Sequence, residues 1–370
     1  MSVLNFDNTN YRTGHYPLFL GDDLGMNDEI NVTYPEIAKI KDLHMSQFWL
    51  PTEISFEDDR LDMKDAPVSE SDVMILNLLA QHALDSLASR SIIELFGPLV
   101  SNTELHSWFL TQSFFEDIHA STYSKIMRNA FVNPNESLER GMTNLNVFNR
   151  TKVIGKVFNE MKQITGKYMS KELSKDNPEH VAYMKKHILK SVFTLYSLEQ
   201  ISFMASFACT FALSETGRYQ GISKALGLIA VDEGLHAKGD LIVFKEMMKD
   251  PEYRTIFEEN KHEYQEIFEA VTQQELDWAE YIFSEGRKVL GLNTPLLKEY
   301  VNYVASPCFA NLGFEWNVER FGEIPSSNPL PFMDKHLDRD SVQTAPQEIQ
   351  INNYRVGQLS DDLGNELLEF

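Results

Sequence analysis

The sequence predicts an all-α protein, a bundle of long helices, and three observations predict it. Extended stretches carry apolar residues at helical spacing, while strand signals are almost absent. Stop signals such as Gly97-Pro98 and Pro251 fall between those stretches. Acidic residues and histidines recur on separate predicted helices in a fixed order: Asp85, Glu116-x-x-His119, Glu199, then Glu233-x-x-His236.

The elements follow in chain order. Residues 1–66 read as a turn-rich N-terminal extension without sustained helical periodicity. A helical domain is expected over 67–336. Ser69-x-x-Asp72 resembles a capping box, with Asp for the usual Glu, and opens a helix that runs to Phe96. Asp85 lies one heptad from both Leu78 and Ile92, which puts it on the core-facing stripe. A second helix over about 103–129 carries Glu116, His119 and Tyr123, and a third spans about 142–168. The fourth, about 179–214, carries Glu199 and ends near Gly217; the fifth, about 221–248, carries Glu233 and His236. Two more cover about 252–287 and 294–320. Residues 337–370 are expected to be a flexible tail: the last thirty hold five acids and one Arg, without periodicity. Its apolar end, Leu367-Leu368-Glu369-Phe370, suits a partner's groove, or else is a frayed terminus.

Composition narrows the function. A formal charge of −22 with no basic patch argues against a nucleic-acid partner. Cys209 and Cys308 sit in apolar stretches and read as core thiols in a reducing compartment. The N-terminus MSVLNFDNTNYRTG has neither a charged n-region nor an apolar h-region, so a cytoplasmic location is expected. The one membrane candidate, the apolar run around Glu199, also holds Lys190 and Gln200, which favours a buried helix over a membrane span.

Residues three apart share a helix face, so each Glu-x-x-His offers a carboxylate and an imidazole to one point. One such spacing means little, since ten His among 55 acids supply about one by chance. Glu259-x-x-His262, in the charged stretch EENKHEYQE, reads as that coincidence. The other pairs differ in context: Glu116 and His119 follow WFLTQSFF, and Glu199 stands within LYSLEQISFMASFACTFAL. A carboxylate there is costly unless it is paired or binds a metal. Two pairs plus two lone acids on separate helices match the ligand set of ferritin-like di-iron and dimanganese bundles, with Asp85 for a Glu. Four carboxylates and two imidazoles, with no thiolate, suit two iron(II) or manganese(II) ions per chain rather than structural zinc. Such a pair can reduce dioxygen and generate a strong oxidant.

Tyr123 is the candidate for oxidation, because it follows His119 by four residues and Glu116 by seven on the same face. Phe203, Phe207 and Ile229 would surround that point with unreactive side chains. A dry, reductant-free pocket lets a tyrosyl radical persist. Asp232 precedes Glu233 and reads as an acceptor that orients a ligating His. Trp49 reads either as an electron relay or as packing.

With these residues in place, the chain closely resembles the small, radical-generating subunit of class I (class Ia) ribonucleoside-diphosphate reductase. The resemblance runs from about Trp49 to the C-terminus. It rests on ALDS around Asp85, EDIHASTY, LEQISFMASFAC, DEGLH, QQELDW, SNPLPF and APQEIQINNYRVGQ. It implies a ferritin-like homodimer whose di-iron site uses oxygen to form a tyrosyl radical, for deoxyribonucleotide biosynthesis in support of DNA replication. It also implies that the tail binds a large catalytic subunit. Carried over, the metal ligands are Asp85, Glu116, His119, Glu199, Glu233 and His236, and the radical falls on Tyr123. Electron transfer falls on Trp49, Asp232 and Tyr354, with Glu53 and Glu348 at acidic positions linked to it. Gln112 stands where some members carry Trp, and Val231 where some carry Arg. Two rivals use the same ligands: a di-iron oxygenase or desaturase, and a ferroxidase-type storage protein. The first has no use for Tyr123 or a tail tyrosine, and the second needs no partner enzyme.

Overall fold

The computed structural model describes residues 4–14 and 16–337. Helices α1 Asn10–Thr13, α2 Pro35–Met45 and α3 Glu57–Asp65 precede α4 Val68–Phe96, α5 Thr103–Ala130, α6 Pro134–Thr143 and α7 Leu145–Met169. Then come α8 Pro178–Ile201, α9 Met204–Ser214, α10 Gln220–Met247, α11 Pro251–Ile282, α12 Thr294–Asn311, α13 Val318–Phe321 and α14 Phe332–Leu337. Among the described residues, β pairing amounts to two isolated bridges, Phe19 with Val100 and Val289 with Leu292. The all-α prediction holds. Tyr354, Glu348 and the apolar chain end lie outside the described residues.

Four long helices enclose the centre: α4 packs along α5, α10 along α8, and α5 meets α10. Helices α7 and α11 flank them, and α2 crosses both α5 and α10. Close approach of α5 to α10 depends on Gly239, because a Cβ there would lie 2.1 Å from the Trp108 ring. Phe203, Phe207 and Phe211 are fully buried and line the interior beside α8 and α9. Each contributes roughly 1.5–3 kcal/mol through burial. Cys209 and Cys308 are buried free thiols. Among the described residues, no helix is long and apolar enough to cross a membrane.

Several local expectations change. Ser69 does not cap α4: the extended Pro67 places the helix start at Val68, and Asp72 accepts from Arg140 at 2.8 Å. The turn-rich N-terminal stretch contains α2 and α3, and α6 precedes α7 where no helix was predicted. Helices α11 and α12 stop short of the predicted 287 and 320.

The helix predicted over 179–214 is two helices, α8 and α9, broken just after Ile201. A break inside a core strands backbone groups, which cost free energy unless they find partners. Here Arg150 of α7 donates to the Ser202 carbonyl, and Glu275 of α11 accepts from the Ala205 N–H at 2.8 Å. The start of α10 is also supported from elsewhere in the chain. Tyr219 has a left-handed φ of 56°, and Asp62 and Asp59 of α3 accept from the Tyr219 and Ile222 N–H groups at 2.8 and 3.0 Å. Gly221 is required there, since a Cβ would lie 2.2 Å from Asp59 Oδ2.

Candidate metal centre

The side chains converge from four helices. Helix α4 supplies Asp85 between the buried Leu78 and Ile92. Helix α5, capped by Asn102 accepting from the Leu105 N–H at 2.9 Å, supplies Glu116, His119 and Tyr123. The last turn of α8 supplies Glu199, and α10 supplies Glu233 and His236. All six candidate ligands are fully buried. By contrast Glu259-x-x-His262 is solvent-facing, with the His262 side chain 88% exposed.

The six form two overlapping groups: Asp85, Glu116, His119 and Glu233, then Glu116, Glu199, Glu233 and His236. Within each group one donor atom per residue lies within 4.8 Å of all the others. Glu116 and Glu233 belong to both groups, so the carboxylates of the two Glu-x-x-His pairs are the shared ones. His119 Nδ1 points inward, 3.1 Å from Glu233 Oε1, 3.9 Å from Glu116 Oε2 and 4.0 Å from Asp85 Oδ2. His236 Nδ1 lies 2.9 Å from Glu116 Oε1, 3.0 Å from Glu233 Oε2 and 3.8 Å from Glu199 Oε2.

These acids lack the partners that buried carboxylates need. Both oxygens of Asp85 and of Glu116, Glu199 Oε2 and Glu233 Oε1 make no hydrogen bond of normal geometry, although imidazole nitrogens lie close to Glu116 Oε1 and Glu233 Oε1. Burial, then mutual repulsion, raises Asp85 well above the usual carboxylate range and Glu116 to about 8. Glu233 is raised well above its usual value, by burial first and then by Glu199. Two divalent cations would displace those protons and cancel four negative charges, so the donor set fits a metal pair. Oxygen and imidazole donors without thiolate favour iron or manganese.

The surroundings add direction. Asp232 Oδ2 accepts from Trp49 Nε1 at 2.8 Å and lies 3.0 Å from His119 Nε2. With Nδ1 turned toward the acids, Nε2 carries the proton, so Asp232 fixes the imidazole. Burial alone would raise Asp232, but the hydrogen bond with His119 and the close approach of His44 hold it well below the usual range. Trp49, His119 and Asp232 thus form one buried hydrogen-bonded line, with the two rings 6.3 Å apart. Tyr123 is fully buried, and its hydroxyl lies beside Asp85 without a hydrogen bond of normal geometry. Burial, then the charge of Asp85, raises its pKa well above the ordinary phenol value. Phe203, Phe207 and Ile229 are all fully buried. Glu53 is exposed, and its Oε1 accepts from the Leu50 N–H at 3.3 Å at the turn that follows Trp49.

Two neighbours, His44 and Asp240, escaped the sequence reading, and a third, Gln112, entered it only as a departure from the family pattern. His44 of α2 is fully buried, stacked 3.7 Å from Phe115, edge-on 4.8 Å from His236, and 3.4 Å from Asp232 Oδ1. Burial pushes its pKa down to about 4. A lone His in a turn-rich stretch gave no periodic signal. Gln112 donates to Glu199 Oε1 at 3.0 Å and to Asp240 Oδ2 at 3.4 Å. Asp240 stood one heptad beyond Glu233, a spacing that could have found it.

A family model described as "Ribonucleotide reductase, small chain" matches residues 27–320. The ribonucleoside-diphosphate reductase 1 subunit beta of Escherichia coli O157:H7 is 32% identical over 379 residues, covering 99% of each chain. The ribonucleotide reductase R2 subunit from Clostridium botulinum superposes with a TM-score of 0.77 at 20% identity, covering 91% of this chain and 98% of that one. The dimanganese(II)-NrdF of Streptococcus sanguinis superposes with a TM-score of 0.66 at 17% identity, covering 86% of this chain and 100% of that one.

Proposed function

The chain belongs to the ribonucleotide reductase small-chain family, and on that premise we propose how its own residues divide the work of a radical-generating subunit. It is the beta subunit of a class I ribonucleoside-diphosphate reductase, which initiates reduction of ribonucleotides to deoxyribonucleotides in a large catalytic subunit. The carrying observation is the pair of buried ligand groups sharing Glu116 and Glu233, with the Tyr123 hydroxyl beside Asp85.

In this reading Asp85 and His119 would hold one ion, Glu199 and His236 would hold the other, and Glu116 and Glu233 would be available to both. When bound, two iron ions supply reduction of dioxygen and hence a strong oxidant; manganese, held by the Streptococcus sanguinis relative, suits the same donors. Tyr123 would supply an electron to that oxidant and release its hydroxyl proton, and the Asp85 carboxylate beside it would be placed to receive that proton. Full burial excludes water and reductants, so the ring keeps its radical. The Trp49–Asp232–His119 line carries the oxidising equivalent outward, and Tyr354 continues it toward the large subunit.

The working unit is a cytoplasmic homodimer. Residues 67–336 form the di-iron domain, and the tail over 337–370 anchors the large subunit through its apolar end. Tyr123→Phe keeps the ring's packing and removes the ionisable hydroxyl. Iron(II) and air should still give a loaded site, while the tyrosyl signal in electron paramagnetic resonance and reductase turnover vanish; survival of that signal would place the radical elsewhere. Deleting Leu359–Phe370 should leave metals and radical intact and abolish association with the large subunit, whereas Tyr354→Phe should bind and fail to turn over. An active truncated chain would remove the tail from the assembly, and an active Tyr354→Phe chain would remove that tyrosine from the route.

A further inference from the structure

Asp240 is a buried acid that forms no ion pair with a Lys or Arg among the described residues, and the positive charge that acts on it is that of His236. Asp240 is 1% exposed, Oδ1 has no hydrogen-bond partner, and Oδ2 accepts only the 3.4 Å contact from Gln112. Gln112 is equally buried, and its amide nitrogen faces two carboxylates, Glu199 Oε1 at 3.0 Å and Asp240 Oδ2. A primary amide has two N–H donors, and this geometry directs one to each acid. Turning the amide over would set its oxygen against both acids, so the pair of acceptors fixes which end of Gln112 faces Glu199. The consequence falls on Glu199. With Oε1 held by Gln112, Oε2 is the oxygen left without a hydrogen-bond partner, and it lies 3.8 Å from His236 Nδ1 on the side of the shared carboxylates.

We propose that Asp240 is a positioning residue: by holding the second N–H of Gln112 it locks that amide on Glu199 Oε1, so that Glu199 offers a single oxygen, Oε2, to the metal pair. The inference rests on the reading of Glu199 as a metal ligand. It concerns the ion that Glu199 and His236 would hold, because among the described residues the hydrogen bonds of Gln112 and Asp240 reach Glu199 and each other and neither Asp85 nor His119. Burial, reinforced by the charge of Glu199, raises the Asp240 carboxyl well above its usual range, and a protonated Asp240 still offers an oxygen to the amide. A carboxylate or a neutral acid therefore serves equally, and an asparagine carbonyl should as well.

The test is titration of manganese(II) into the metal-free full chain, with unbound ion read by electron paramagnetic resonance and folding checked by circular dichroism. The unaltered chain should take up two ions. Asp240→Leu should weaken one of them about tenfold and leave the other unchanged, the size expected when a group supporting a ligand is lost. Asp240→Asn should restore affinity to within about threefold. Gln112→Leu should reproduce the one-ion loss, and the Gln112→Leu, Asp240→Leu double variant should lose no more than either single one, because both act through one hydrogen-bonded chain. If Asp240→Leu fails to fold, Gln112→Leu and Asp240→Asn still decide: equal affinities in Gln112→Leu and the unaltered chain overturn the proposal, as does a tenfold loss in Asp240→Asn. Weakening of both ions alike, or additive losses in the double variant, would also overturn it by reducing Asp240 to a packing role. Fewer than two ions in the unaltered chain would instead sink the ligand reading, and this inference with it.

Discussion

Two buried polar clusters lie on either side of the break after Ile201, and they are built on opposite principles. In the first, Arg150 donates to both Glu275 oxygens and to Ser206 Oγ, Ser206 donates to Asn77 Oδ1, and Trp278 Nε1 donates to the same oxygen at 3.0 Å. The guanidinium also sits 4.7 Å from the Trp278 ring centroid. Every charge there has an opposite charge or a dipole against it. In the second, four carboxylates converge with most of their oxygens unpartnered, and burial pushes several of them toward protonation. A complete network fixes a fold, whereas an incomplete one is a demand for ligands. QQELDW belongs to the first cluster and DEGLH to the second, so two signature-like motifs of similar appearance have different physical duties.

The same substitution in the two clusters should have opposite effects. Glu275→Gln leaves the Arg150 charge buried and uncompensated, which should cost about 3–5 kcal/mol in chemical denaturation of the metal-free chain. Little change there would mean that the pair is not what holds the break. Glu233→Gln removes an acid whose ionised form burial and the neighbouring Glu199 disfavour. It should raise metal-free stability by about 0.5–2 kcal/mol at pH 7 while metal content falls below two per chain. A destabilised Glu233→Gln chain with full metal content would erase the distinction between the clusters.

Asp59 lies between these extremes, a buried acid partly satisfied by the Ile222 N–H. Burial raises it from 3.8 to about 6, so the folded chain holds a proton that the unfolded chain has released across that window. Its favourable contribution is complete below pH 3.8 and is lost as pH rises through 6. Asp59→Asn should therefore match the unaltered chain at acid pH and exceed it by about 1–2 kcal/mol near pH 8, after allowance for solvent screening. A stability gap independent of pH would show that the backbone contact, not the charge, decides the site.

Much of the centre was legible because helical periodicity is local. Spacing alone put Glu116, His119 and Tyr123 on one face and Asp85 on the stripe of Leu78 and Ile92, and α5 and α4 carry them that way. Patterns of charge separated Glu259-x-x-His262 from the buried pairs. Less was legible wherever a backbone group finds its partner far along the chain. The break in the fourth predicted helix depends on Arg150 and Glu275, and the start of α10 depends on Asp59 and Asp62. Neither LEQISFMASFAC nor RYQGISK carries a sign of those donors and acceptors.

The sequence by itself determined which residues share a helix face, which acids are too apolar in context to be solvated, and that the donors are oxygen and imidazole. These follow from the 3.6-residue turn and from the cost of burying charge, both properties of short stretches. Only the tertiary structure decided that Glu116 and Glu233 are the shared carboxylates, that Asp232 joins His119 to Trp49, and that His44 and Asp240 stand beside the site. Those relations depend on how helices pack at distances of a few ångströms, and contacts between residues more than a hundred positions apart leave no period in the chain.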